Sequence, residues 1–253
     1  MRIVRAELLK LLGLPSAWIA FVIGLVVSPT IAFLNASTTA RAIENGTRTV
    51  PGGDAGYQEL AFGVLGAIIL GVVAISSEYL TEGEESAGAR QVTTSLIAVP
   101  SRIGLLAAKA TALVLTVAVL ATVTTAVTLT LTRVFLGDHA GSLTAEIAPR
   151  ALGVVIYWVL ISLLAYGITL LTRNGVIPLT VLILNTSLVS VTYLLSRVID
   201  AANYLPDLVG ARMFLRGMRS SAQIAPVTGG LVMTSWVIAV LALGVAVFRR
   251  RDA

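Results

Sequence analysis

Leu60-Ala61-Phe62-Gly63-Val64-Leu65-Gly66-Ala67-Ile68-Ile69-Leu70-Gly71-Val72-Val73-Ala74-Ile75-Ser76 is a run of seventeen residues without a charge. At 1.5 Å rise per residue, a helix of this length approaches the ~20 residues that cross a ~30 Å hydrocarbon core. Five more such stretches follow or precede it, giving expected spans at about 16–34, 58–77, 103–132, 151–171, 175–195 and 228–248. Barrel strands would alternate apolar and polar residues, and no such alternation is present. With no water in the lipid core to satisfy backbone groups, spans of this kind must be helices. The expected fold class is all-α: a single polytopic transmembrane domain over residues 1–253.

Composition points the same way. Charged residues are 12% of the chain and mean hydropathy is +0.92, where about a quarter charged is usual for soluble domains. Arg2, Arg5 and Lys10 before the first stretch invite a signal-peptide reading. No small-x-small cleavage site with a soluble domain behind it follows; five further spans do. Cysteine is absent, so disulfides, thiolate metal sites and cysteine nucleophiles are excluded.

Charge near the spans predicts the orientation. Arg2, Arg5 and Lys10 at one end, with Arg249, Arg250 and Arg251 at the other, place both termini in the cytoplasm by the positive-inside rule, which needs an even number of spans. The segments 78–102 and 172–175 are then internal, and 35–59, 133–150 and 196–228 external. A net charge of +5 is spread over loops and ends rather than gathered on one face, so nucleic acid is not an expected partner. The bilayer is: basic residues beside a span suit anionic headgroups.

Local patterns add detail. Val4, Leu8, Leu11 and Leu12 share a helical face with Arg2, Arg5 and Lys10 around it, which reads as an interfacial helix ended by Pro15. Ser28-Pro29 falls inside the first span, where the missing N–H favours a kink. Gly63, Ala67 and Gly71 strip one face of the second span of bulk and mark a close helix contact. The threonines from Thr116 to Thr132 are expected to bond back to their own helix. Thr172-Arg173-Asn174-Gly175 predicts a tight turn between two antiparallel helices. After Pro206, Leu208, Ala211, Leu215 and Met218 face one way while Arg212, Arg216 and Arg219 face another, predicting an amphipathic external or re-entrant helix with a basic face.

Catalytic chemistry is not visible. His139 is the sole histidine, in a loop, and the sequence holds no HExxH and no GxSxG. Neither Lys10 nor Lys109 follows a glycine-rich phosphate loop, so the chain is not expected to be an enzyme or to bind a cofactor. The spans also lack a clear carboxylate, His or Lys at membrane depth, the usual coupling group of an ion-driven carrier. Glu78 comes nearest, at the end of the second span. Active transport would therefore have to be driven by a partner subunit.

The segment Glu78 to Lys109 carries a more specific pattern: Glu78-Tyr79 at the end of the second span, then Ser95-Leu96-Ile97-Ala98-Val99-Pro100-Ser101-Arg102, then Lys109. Ala6-Glu7-Leu8-Leu9-Lys10 precedes the first span, and Phe248-Arg249-Arg250-Arg251-Asp252 follows the last. In order and spacing the chain resembles the membrane (permease) subunit of type-2 ABC transporters, the ABC-2 exporter family. It departs from the family pattern at Thr81 to Arg90. The resemblance implies a coupling helix between the second and third spans that docks on a separate ABC-type ATPase, with Glu78, Glu82, Glu85, Arg90, Pro100 and Arg102 as its segment. Glu78, Glu82 and Glu85 do share a helical face. It further implies a second permease subunit, identical or not, with ATP and Mg on the ATPase. The implied cargo is peptide, antibiotic or lipid-linked, across the cytoplasmic membrane. A non-transporting anchor or scaffold is the alternative, with a secondary carrier behind it.

Overall fold

The computed structural model describes residues 2–47, 53–77, 102–140, 146–187, 191–217 and 224–251. All regular structure among them is helical: α1 (Arg2–Leu12), α2 (Pro15–Glu44), α3 (Tyr57–Ser76), α4 (Arg102–Leu136), α5 (Ile147–Thr172), α6 (Val176–Ser187), α7 (Val191–Ser196), α8 (Pro206–Ala211) and α9 (Pro226–Arg251). Five of these, α2, α3, α4, α5 and α9, are long and apolar enough to cross a membrane. The molecule is thus an all-helical, multi-pass membrane protein in architecture.

Two of the crossing helices overrun their expected spans. α2 continues to Glu44 through Pro29 without a break, and α4 has 35 residues. At 1.5 Å per residue these are about 45 and 52 Å long, so both project beyond a ~30 Å core.

The bundle is organised around α3. In its most apolar stretch 72% of residues are buried, against 22% in α9, so α3 is central and α9 peripheral. The small residues make this possible on two faces. Gly66 opposes Gly24 of α2, where an added Cβ would lie 2.5 Å from the Ala20 carbonyl oxygen; Gly71 opposes α5, 2.2 Å from that of Ser162. Gly63 lies between Ser28 and the Trp158 ring, and Ala67 is fully buried. Without a hydrophobic drive between helices in lipid, this close backbone approach is what packing energy rests on. Trp158 and Tyr166 fill the α5 side, and each satisfies its polar atom across a helix boundary. Trp158 Nε1 donates to the Leu60 carbonyl at 3.2 Å, and Tyr166 Oη to that of Leu106 at 3.0 Å.

Contacts along the helices fix their directions. α3 runs antiparallel to α2 (Gly66 at Gly24, Glu59 at Asn35) and to α4 (Gly56 at Thr132). It runs parallel to α5, with Asp54 at Arg150 and Gly71 at Ser162. α9 is also parallel to α5: Gly229 meets Val209 and Arg212 beside the start of α5, while Gly244 meets Leu170 near its end. The bundle therefore has a Lys109 end and an Arg150 end, and both α1 and the last turns of α9 lie at the Lys109 end.

The leg that returns from Thr172 to α9 departs from expectation. A single helix was expected over 175–195. Instead α6 is twelve residues, about 18 Å, and α7 follows as a separate six-residue helix. Thr192 N donates to Asn185 Oδ1 at 3.1 Å. In one straight helix these residues would be about 10 Å apart along the axis, too far for this contact. Pro178 and the αL residue Arg173 (φ 53°) suit the tight turn expected at 172–175, closed by Val176 N donating to Asn174 Oδ1.

The amphipathic helix expected after Pro206 is also shorter than its pattern. α8 stops at Ala211; Arg212 is in a turn and Arg216 in irregular chain, so they do not line one helical face. The backbone N–H groups of Arg216 and Gly217 leave the helix to bond Asp54 instead. Burial lowers the Arg212 guanidinium pKa from its ordinary value. Arg219 lies outside the described residues.

The threonines of α4 divide into three kinds. Thr116, Thr122 and Thr132 bond back to carbonyls four residues earlier, as the pattern predicts. Thr124 instead donates to the Gly24 carbonyl of α2 at 3.3 Å. The hydroxyls of Thr125 and Thr128 are buried without a partner among the described residues. An unsatisfied buried hydroxyl costs about 1–3 kcal/mol, and valine keeps its shape. Thr128→Val is therefore expected to raise the melting temperature in detergent, while Thr124→Val lowers it; equal shifts would contradict the assignment.

Candidate functional site

Three polar clusters lie at the two ends of the bundle and on the return leg. At the Lys109 end, Glu7 of α1 accepts from Lys109 Nζ at 2.6 Å, with the two side chains 9% and 4% exposed. Ala74 of α3 and Ser77 just after it line the same groove. A buried pair holds only if its geometry is good and its charges stay matched. Here it ties α1 to the base of α4, and the face α1 covers includes a charge as well as Leu11. The apolar spacing of α1 gave no sign of Glu7's burial.

At the Arg150 end one arginine links four segments. Arg150 pairs with Asp54, donates through Nε to the Phe214 carbonyl at 2.8 Å and through Nη1 to that of Gly53 at 2.9 Å, and stacks 3.8 Å from the Tyr57 ring centroid. Asp54 in turn accepts from Arg216 N at 3.0 Å and from Gly217 N. The planar guanidinium fork satisfies carboxylate, carbonyls and an aromatic face together, which an ammonium could not. This hub closes the loop before α3 and the chain after α8 over the first turn of α5.

The third place is the broken return leg. Asp207 accepts from Asn185 Nδ2 at 2.8 Å and from Thr192 Oγ1, so residues on α6, α7 and α8 converge on one carboxylate. Two contacts fix its depth. Trp236, about 15 Å into α9, donates to the Tyr204 carbonyl, and Gly229 lies against that of Val209. Asp207 sits between these levels, inside the span of α9. Asp207 is therefore packed beside the N-terminal third of α9, within the segment 196–228 that the sequence reading places outside the membrane. Non-helical backbone at membrane depth is tolerated where protein covers it, and an ionisable group there is a functional-site hypothesis by default.

The other predicted residues divide plainly. Glu78, Glu82, Glu85, Arg90 and Pro100 lie outside the described residues; Arg102 opens α4. His139 is exposed in a 3-10 turn after α4, away from any cluster, and among the described residues no group of three or more metal-ligating side chains occurs.

Fold and polar sites together define the class: a multi-pass helical membrane protein with a broken leg and ion-paired ends. No family model and no curated protein sequence matches this chain.

Proposed function

We propose that this chain is the transmembrane permease subunit of a type-2 ABC exporter, moving a substrate across the cytoplasmic membrane while ATP is hydrolysed on a separate subunit. We take the number of crossings as six, the fifth being the broken leg from Val176, with both termini cytoplasmic. The observation that carries the reading is the shared end of the bundle. α1, the end of α3, the start of α4 and the basic end of α9 all lie at the Lys109 end, where the chain leaves α3 and enters α4. A partner that binds 78–101 would act on the ends of α3 and α4 that this segment joins, and α4 is tied to α1 there through Glu7 and Lys109. Force on that segment would pass to α3 and α4, and through α3 to α2 and α5. Peptides, antibiotics and lipid-linked molecules remain the substrate classes, and a second permease subunit would complete the path.

The test is co-purification with the ATPase encoded alongside it. The unmutated protein should retain the ATPase, and Glu78→Ala or charge reversal at Glu82 and Glu85 should lower retention several-fold while the permease stays monodisperse. Absence of any ATPase with the unmutated protein would move a non-transporting scaffold to first place. A scaffold would also show no substrate-stimulated ATP hydrolysis.

Asp207 supports a second reading, an ion-coupled secondary carrier. Broken helices around a buried carboxylate are how such carriers bind their coupling ion. Liposomes containing this chain alone decide between the two. Uptake driven by a proton or sodium gradient and abolished by Asp207→Asn would favour the carrier; no gradient-driven uptake is the outcome expected of the exporter subunit.

A further inference from the structure

Where α2, α3 and the end of α4 diverge at the Arg150 end they enclose a partly open cavity of about 340 Å³. Its wall includes Glu59, Asn35, Thr38, Gln58 and Thr132, and among the described residues contains no Lys or Arg. The volume is within the range of small-molecule sites, roughly 300–1,000 Å³. Glu59 is 6% exposed. Its Oε1 accepts from Asn35 Nδ2 at 2.9 Å and its Oε2 from Gly56 N at 2.9 Å, the second being the capping bond of α3. Two neutral donors leave part of the carboxylate's acceptor capacity unused, since it offers about four lone-pair sites. Among the described residues Glu59 forms no ion pair, unlike Glu7 with Lys109 and Asp54 with Arg150.

We propose that this cavity binds a small organic ammonium ion, with Glu59 as its counter-ion. The chemistry of the wall selects the charge: a carboxylate, hydroxyls and side-chain amides all accept hydrogen bonds, and no lining side chain among the described residues is cationic. The size selects an organic cation over a bare metal ion, which would need several oxygen ligands drawn tightly around it. Position selects access. Asn35 and Thr38 lie beyond the first twenty residues of α2, at the depth where that helix leaves the hydrocarbon core. An amine with an apolar body can reach the carboxylate there from the membrane surface. The capping bond to Gly56 fixes the carboxylate in place, so the acceptor is preorganised. The inference stands apart from the exporter reading, because it concerns binding by this chain without an ATPase.

The experiment uses the full chain in zwitterionic-lipid nanodiscs, titrated with benzylammonium by calorimetry against empty nanodiscs, with benzyl alcohol as the uncharged isostere. Benzylammonium should bind saturably and at least tenfold more tightly than benzyl alcohol. Glu59→Gln should weaken it about tenfold while retaining an oxygen acceptor for Gly56. Thr38→Trp, at an exposed helical position on the cavity wall, leaves Glu59 intact and should abolish binding. Equal affinity for the amine and the alcohol, or unchanged binding in Thr38→Trp, would overturn the proposal.

Discussion

Arg150→Leu should be among the most destabilising single substitutions in this chain. It removes the partner of Asp54, which is then buried with only two backbone N–H donors from Arg216 and Gly217 to hold its charge. Breaking a buried pair from one side typically costs about 3–5 kcal/mol, because the remaining charge is uncompensated. The Phe214 and Gly53 carbonyls lose their donor and the Tyr57 ring its cation in the same step. Thermal unfolding in a mild detergent, followed by tryptophan fluorescence, should show a melting temperature many degrees lower. Arg150→Lys should recover only part of it, since one ammonium cannot reach carboxylate and both carbonyls together. Asp54→Asn should be milder, because the amide still accepts from Arg150. If Arg150→Leu melts with the unmutated protein, the hub does not hold the Arg150 end together.

The second large effect is expected at Gly66. Its opposing atoms are backbone: the Ala20 carbonyl oxygen at 2.5 Å and the Gly24 Cα at 2.7 Å from a built Cβ. Even alanine must push α2 away from α3 along their contact, and overpacking of this kind costs about 1–3 kcal/mol or more. Gly230→Ala is the matched comparison. There the nearest atom is the sulfur of Met213, 3.0 Å away at the end of a flexible side chain, which can move aside. Gly66→Ala should therefore lower the melting temperature well beyond Gly230→Ala, and Gly66→Leu should abolish monodisperse protein on gel filtration. Equal effects at the two positions would mean that α2 can shift freely against α3.

The Gly63, Ala67, Gly71 stripe is readable from sequence as spacing alone, but which helices it meets is not. Gly66, the closest approach to the backbone of α2, falls off that stripe because the i, i+4 rule registers one face and α3 uses two. The small residues that let α2 approach run on at four-residue spacing as Ala20, Gly24, Ser28, Ala32 and Ala36, all buried, a stripe the sequence reading passed over. Asp207 was out of reach for a different reason. Its depth depends on where Tyr204 and Val209 meet α9, and a hydropathy window sees only a polar residue after the fifth apolar run. The amphipathic pattern over 206–219 was real as spacing. It failed as a helix beyond Ala211 because the Arg216 and Gly217 N–H groups gain a buried carboxylate acceptor by leaving it.

By itself the sequence determined that this chain is helical and multi-pass. Backbone groups in lipid can only be satisfied internally, and long uncharged runs without strand alternation leave the helix as the one solution. It also determined the tight turn at 172–175, whose Asn174 closes it locally. The tertiary structure alone decided that the return leg is broken and carries Asp207 into the bundle. It alone paired Glu7 with Lys109 across 102 residues and Asp54 with Arg150 across 96. Such pairs lie far apart in the chain, and their energy comes from mutual burial that exists only once the helices have packed.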